Sequence, residues 1–116
     1  LAGLPIPEHV LGRSLLPLLT GGHVPARPIA VTSSGLPSKA SRLGCTAITD
    51  GEWTLQYRGP DWPSELHHVV RDPAQLQDVI GESPEEAKRL HALYLEFLRD
   101  VGAADERIAL VSAAPV

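Results

Sequence analysis

The sequence has no methionine and no asparagine, and only one cysteine, Cys45, among its 116 residues. Without a methionine the chain reads as a processed product or a fragment of a longer protein. The absence of asparagine removes N-glycosylation and one common metal and catalytic ligand. One cysteine excludes an internal disulfide and says little about compartment. Basic residues are few and scattered: 10 Lys and Arg against 14 Asp and Glu leave a net charge of −4, so no nucleic-acid partner is expected. Long apolar runs are also missing. The longest, Leu15–Leu19, is interrupted by Pro17 and falls far short of a membrane span, so no membrane partner is expected either. No signal-peptide pattern opens the chain, and localisation stays open, since a targeting segment would lie upstream.

What is present suits one globular domain with long loops: 43% hydrophobic residues, 21% charged, 11 Pro and 10 Gly. The strongest local pattern is Gly44–Arg58, GCTAITDGEWTLQYR, which reads as a β-hairpin closed by Asp50-Gly51. A two-residue turn there sets Thr49 opposite Glu52 and Ile48 opposite Trp53. Alternation then places Thr46, Ile48, Trp53, Leu55 and Tyr57 on one face, which needs a cover.

That cover is predicted at Pro84–Val101. Ser83 is placed as N-cap, Pro84 at the first helical position and Glu86 as the partner in a capping box. Ala87, Leu90, Leu93, Tyr94, Phe97, Leu98 and Val101 span an arc of roughly 140° on the helical wheel. Glu85 and Arg89 are spaced as an i,i+4 pair, and Gly102 stops the helix.

Upstream, Pro5 and Pro7 impose an extended segment, and Ser14 is placed to cap a helical turn or two ending at Thr20-Gly21-Gly22. Leu15, Leu16, Leu18 and Leu19 are more apolar than such a turn can bury alone. Pro28–Ser33 reads as a short strand and Ser34–Leu43 as a polar loop. Gly59–Pro63 reads as a rigid turn, Glu65–Val70 as a fourth strand and Ala74–Gly81 as irregular. Ala103–Val116 reads as a tail with a β-prone patch at Ile108–Val111. The expected fold is α+β: a small antiparallel sheet of about four strands, one C-terminal helix on one face, and an extended Pro-rich N-terminal segment.

The order of parts resembles the C-terminal end of the sulfatase family, in the alkaline phosphatase superfamily. Leu1-Ala2-Gly3-x-Pro5-x-Pro7 and Gly12-Arg13-Ser14-Leu15-Leu16-Pro17-Leu18-Leu19 resemble the segment closing its catalytic domain. Asp50-Gly51-Glu52-Trp53 resembles its late hairpin. Glu65-Leu66-His67-His68-Val69 with Asp72-Pro73 resembles its "E-L-Y-D-L-x-x-D-P" strand, and Ser83-Pro84-Glu85 its last helix. The departures are His67 for Tyr, His68 for Asp and Thr54 for Lys, with Gln75 and Asp78 for Glu and Asn.

The resemblance implies residues 1–102 as a C-terminal subdomain and 103–116 as a tail. Within the subdomain, 1–26 would be linker and short helix from the end of the catalytic domain, and 27–102 sheet plus helix. It further implies a parent enzyme that cleaves sulfate esters with formylglycine and a divalent cation, calcium. The family's C/S-x-P-x-R motif is not in this chain: Cys45 is followed by Thr46-Ala47-Ile48-Thr49. The segment itself is therefore expected to be inactive and to hold no cofactor. Its partners would be the catalytic domain of the same chain and, through the parent, a sulfate ester. A fragment of a phosphodiester or phosphonate hydrolase of the same superfamily, or an independent α+β interaction module, are the alternatives.

No residue stands out as catalytic. His67 and His68 are adjacent on a strand and point to opposite faces, so they do not share an ion. Cys45 reads as a packed thiol and Trp53 as core. Three residues are candidates for the rim of the parent's substrate site: Lys39 and Arg42, in a loop that otherwise reads as solvated, and Trp62, which otherwise reads as packing within its turn.

Overall fold

The computed structural model describes residues 5, 7, 8, 10, 12–35 and 44–116. Four strands form one antiparallel meander in the order β1-β2-β3-β4: β1 Ala30–Ser33, β2 Thr46–Thr49, β3 Trp53–Tyr57 and β4 Glu65–His68. The helix α2, Pro84–Asp100, lies across one face, with α1 (Leu16–Leu19) before the sheet and α3 (Asp105–Leu110) at the end of the chain. The expected α+β architecture is what the chain adopts.

The core sits between sheet and α2. Ile48, Leu55 and Leu66 form one cross-strand row and are fully buried. Ala87, Leu90, Tyr94 and Leu98 of α2 belong to the same cluster. Leu93 and Phe97, expected within the apolar face, lie at its margin and are half-buried, whereas His91 is buried.

Several local expectations are corrected. The hairpin register is Thr49↔Thr54 and Ile48↔Leu55, two residues from the expected pairing, and the connection between β2 and β3 is the three residues Asp50–Glu52. The cause is the Asp50 side chain, whose Oδ1 accepts from the Glu52 and Trp53 amides at 2.9 and 2.8 Å and closes the wider loop. A shift of two preserves the side-chain alternation, so the face containing Ile48 and Leu55 is as expected. β4 ends at His68, because Arg71 and Asp72 donate their amides to the His68 carbonyl and turn the chain.

Ser83 is the N-cap of α2 and Pro84 opens the helix, but the Ser83 side chain makes no capping bond. Glu86 pairs instead with Arg89 at 2.7 Å, and Glu85 with Lys88 at 3.0 Å, so the Glu85–Arg89 pair does not form. Gly102, at φ 72°, ends α2: its amide and that of Ala103 donate to the Arg99 and Leu98 carbonyls. That double bond pattern needs a left-handed residue, which glycine supplies without strain.

The C-terminal residues differ most from the expected tail. Asp105–Leu110 is helical, and Val111 after it is part of the core. Asp105 and Glu106 suit the start of a short helix, and β-prone Ile108 lies within it because packing outweighs so weak a preference.

Candidate functional site

The two ends of the sheet differ in chemistry. At the hairpin end the polar groups satisfy one another. Thr49 Oγ1 donates to the Trp53 carbonyl at 2.8 Å and accepts from the Gly51 amide at 3.1 Å. Asp50 Oδ2 pairs with Arg89, joining hairpin to helix. Burial pushes the Asp50 carboxyl up, but the Arg89 hydrogen bond and the Trp53 and Glu52 amides outweigh it and hold it below its ordinary value. The hydrogen bonds to Asp50 and then to Glu86 raise Arg89 above its ordinary value. This end is locked by its own charges.

At the opposite end, β1 gives out at Ser33 and β2 begins at Thr46, which pairs with Tyr57, the last residue of β3. The β1–β2 connection and the β3–β4 connection therefore leave the sheet from one end. The β3–β4 connection is braced. Gly59 takes φ 78°, Pro60 and Pro63 restrict the backbone, and the Arg58 amide donates to Ser64 Oγ at 3.4 Å. At its base Arg58 pairs with Glu65 at 2.9 Å, and Glu65 also lies 3.5 Å from His67 Nε2. Trp62 stands out from this loop, 56% exposed. Lys39 and Arg42 lie outside the described residues.

His67 and His68 occupy opposite faces. His68 rests on Trp53 at a ring separation of 4.4 Å, with Nε2 3.5 Å from Glu52. His67 is buried on the face away from α2, where the 72–79 segment folds back: its Nδ1 lies 2.9 Å from the Gln77 carbonyl. The same segment covers the β4 edge, with Asp78 Oδ1 accepting from the Leu66 amide and the Val79 amide donating to the Leu66 carbonyl. Cys45 is half-buried and its thiol donates to Gln56 Oε1 at 3.2 Å. Among the described residues no group of three or more His, Cys, Asp or Glu is arranged to hold a metal ion.

Two residues whose link to the chain end the sequence did not show, Tyr57 and His91, tie it down. Tyr57 donates its hydroxyl to the Ala113 carbonyl at 2.9 Å, and His91 Nε2 lies 2.8 Å from the Val111 carbonyl. The rings of Tyr57 and His91 are 4.7 Å apart. Burial lowers His91 despite the carbonyl partner, and burial pushes Tyr57 up to about 12. No sequence signal marks this arrangement, because both acceptors are main-chain atoms.

The described surface has one concentrated apolar feature. Leu15 and Leu19 of the α1 region are 65% and 82% exposed, and Leu16 and Leu18 are exposed as well. Ser14 Oγ accepts from the Leu16 amide at 3.2 Å, but the N-cap position is Leu15, without a side-chain cap. Ser14 thus lies one residue before the cap it was expected to supply, and no leucine in the helix is buried. Nearby, Phe97 borders clefts of ≈ 280 and ≈ 450 Å³ that include Arg27 and Ile29.

No protein family and no curated protein matches this sequence. Solved structures do match. The chain is similar to part of BT4656, determined in complex with its substrate D-glucosamine-2-N,6-O-disulfate, with a TM-score of 0.71 and 25% identity. The match covers 91% of this chain and 23% of BT4656, so the chain spans under a quarter of that neighbour's length. This likeness suggests a sulfatase-related C-terminal domain.

Proposed function

We propose that this chain is the non-catalytic C-terminal part of a sulfatase-like sulfuric ester hydrolase, packed on the catalytic domain of the same protein and bordering its substrate mouth. The observation that carries this reading is the likeness, over 91% of the chain, to a 23% portion of a protein whose substrate is a disulfated glucosamine. The motif order from Leu1 to Gly102 supports it independently of the fold. The exposed leucines of α1 supply a physical reason for a larger partner, since a concentrated apolar surface of this kind is stabilised by being covered.

In this reading formylglycine and calcium belong to the catalytic domain, where they would supply the nucleophile and hold the sulfate. The present residues contribute a preformed wall. The sheet, locked to α2 by Asp50 and Arg89, fixes where the β3–β4 loop stands. Trp62, together with Lys39 and Arg42, would border the substrate.

The test is to express the full reading frame that contains these residues beside residues 1–116 alone. Both are assayed for sulfate release from 6-O-sulfated glucosamine in calcium, and for cleavage of a phosphodiester. Sulfate release by the long protein and none by the short one is expected. A long protein that cleaves only the phosphodiester, or a short one that releases sulfate by itself, refutes the proposal.

A further inference from the structure

We infer that residues 103–116 form a strap latched over His91, opening as the imidazole takes up a proton while the sheet and α2 stay folded. The hinge is Gly102, whose φ of 72° ends α2 and turns the chain so that Val111 meets His91. Beyond the hinge the strap is fastened at three places. The Val111 side chain is part of the core, its carbonyl lies 2.8 Å from His91 Nε2, and the Ala113 carbonyl accepts from the Tyr57 hydroxyl. The rest of it is lightly held: α3 has six residues and none of them is buried. A segment with so few buried contacts opens at a lower free energy than a four-stranded sheet with its covering helix. Facing a carbonyl, Nε2 carries the proton of the neutral ring, so a further proton goes to Nδ1.

The surroundings of the ring decide what that proton does. His91 is 5% exposed, with Tyr57 at a ring separation of 4.7 Å and Tyr94 at 6.5 Å. Burial raises both phenols, so neither supplies a negative charge. β2, β3 and residues 111–116 contain no charged side chain, and Asp105, Glu106 and Arg107 of α3 are all exposed. On α2 itself, Lys88 one turn earlier is exposed and bound to Glu85. Arg58 and Glu65, which flank β3 and β4, pair with each other. The Nε2–H bond to Val111 survives protonation, but none of these groups offers the new charge a carboxylate. Burial accordingly lowers His91, against the Val111 bond that raises it. An imidazolium placed this way is relieved by reaching solvent. Of the elements over the ring, the strap has the least packing to lose.

The experiment is hydrogen–deuterium exchange of the 116-residue chain between about pH 8 and pH 5, corrected for intrinsic rates and read amide by amide by NMR, with and without low urea. The probes are the Ile108 and Val111 amides of the strap and the Leu55 amide of β3. The ring is lowered when covered, so the open strap binds the proton more readily. Strap protection should therefore be full above 6.5 and fall below it, by up to about tenfold per pH unit. Low urea should leave strap exchange unchanged, because local opening exposes little surface, whereas Leu55 should stay better protected and respond to urea. His91→Gln, whose side-chain amide can still donate to Val111, should remove the acid dependence. Tyr57→Phe should lower strap protection at every pH and keep the acid slope. Strap protection flat with pH, an acid slope that persists in His91→Gln, or strap amides that match Leu55 in both protection and urea response overturns the inference. Sulfate release by the long protein is scored apart, and neither result decides the other.

Discussion

Leu55→Ala tests whether sheet and helix form one core. Leu55 is fully buried at the centre of β3, with Ile48 and Leu66 on either side in the same cross-strand row. The residues above it on α2 include Ala87 and Leu90, both fully buried. Ala87 is already the smallest side chain that can stand at such a position, so it has no atoms to move into a vacated space. The neighbouring strands are fixed by their ladders. The cavity should therefore persist, which places the cost toward the upper part of the usual Leu→Ala range, about 3–5 kcal/mol. For a domain of this size total stability is roughly 5–15 kcal/mol, so the loss is a large share. Urea denaturation followed by circular dichroism measures it, with the slope m checked for constancy. A change within about 0.5 kcal/mol, the range of ordinary surface sites, would remove Leu55 from the core and with it the sheet-on-helix arrangement.

Other expectations follow from single contacts. Asp50→Ala removes the acceptor for two loop amides and the Arg89 partner, and should cost about 1–3 kcal/mol in the same assay. The lowered Asp50 value means its contribution is present above its ordinary 3.8 and fades as pH falls through the lower folded value. His91 is also lowered, so the unfolded chain binds the proton more readily: stability should be full above 6.5 and decline as pH falls below it. His91→Gln should flatten that decline in pH-dependent melts. Gly102→Ala forces a side chain into φ 72° and should cost about 1 kcal/mol or more, read as a lower thermal midpoint.

The legible parts of the fold were those in which side-chain type and spacing are dictated by burial. The Ile48–Leu55 face and the Ala87–Leu98 stripe could be read because a period of two or of 3.6 survives small errors in placement. The hairpin register could not, since the choice between a two- and a three-residue connection depends on where the Asp50 carboxylate points. The capping box failed for a related reason: Glu86 had a stronger partner in Arg89. α3 was hidden because its six residues carry little preference and are held by Val111 behind them. In the β3–β4 loop the sequence named Trp62 but not its 56% exposure, which depends on tertiary packing rather than on local pattern. Lys39 and Arg42 lie outside the described residues.

The tie between Tyr57, His91 and the end of the chain has a consequence for how sequence variation is tolerated. The donors are particular side chains, but the acceptors are the carbonyls of Val111 and Ala113, which every amino acid carries. Substitutions at Ser112 and Ala113 can therefore leave the fastening intact, whereas Tyr57→Phe loses the bond to Ala113 whatever residue stands there. Shortening the chain before Val111 removes a core residue and both acceptors at once. The last few residues thus act by reach rather than by identity: they can drift in composition, but the chain must remain long enough to arrive.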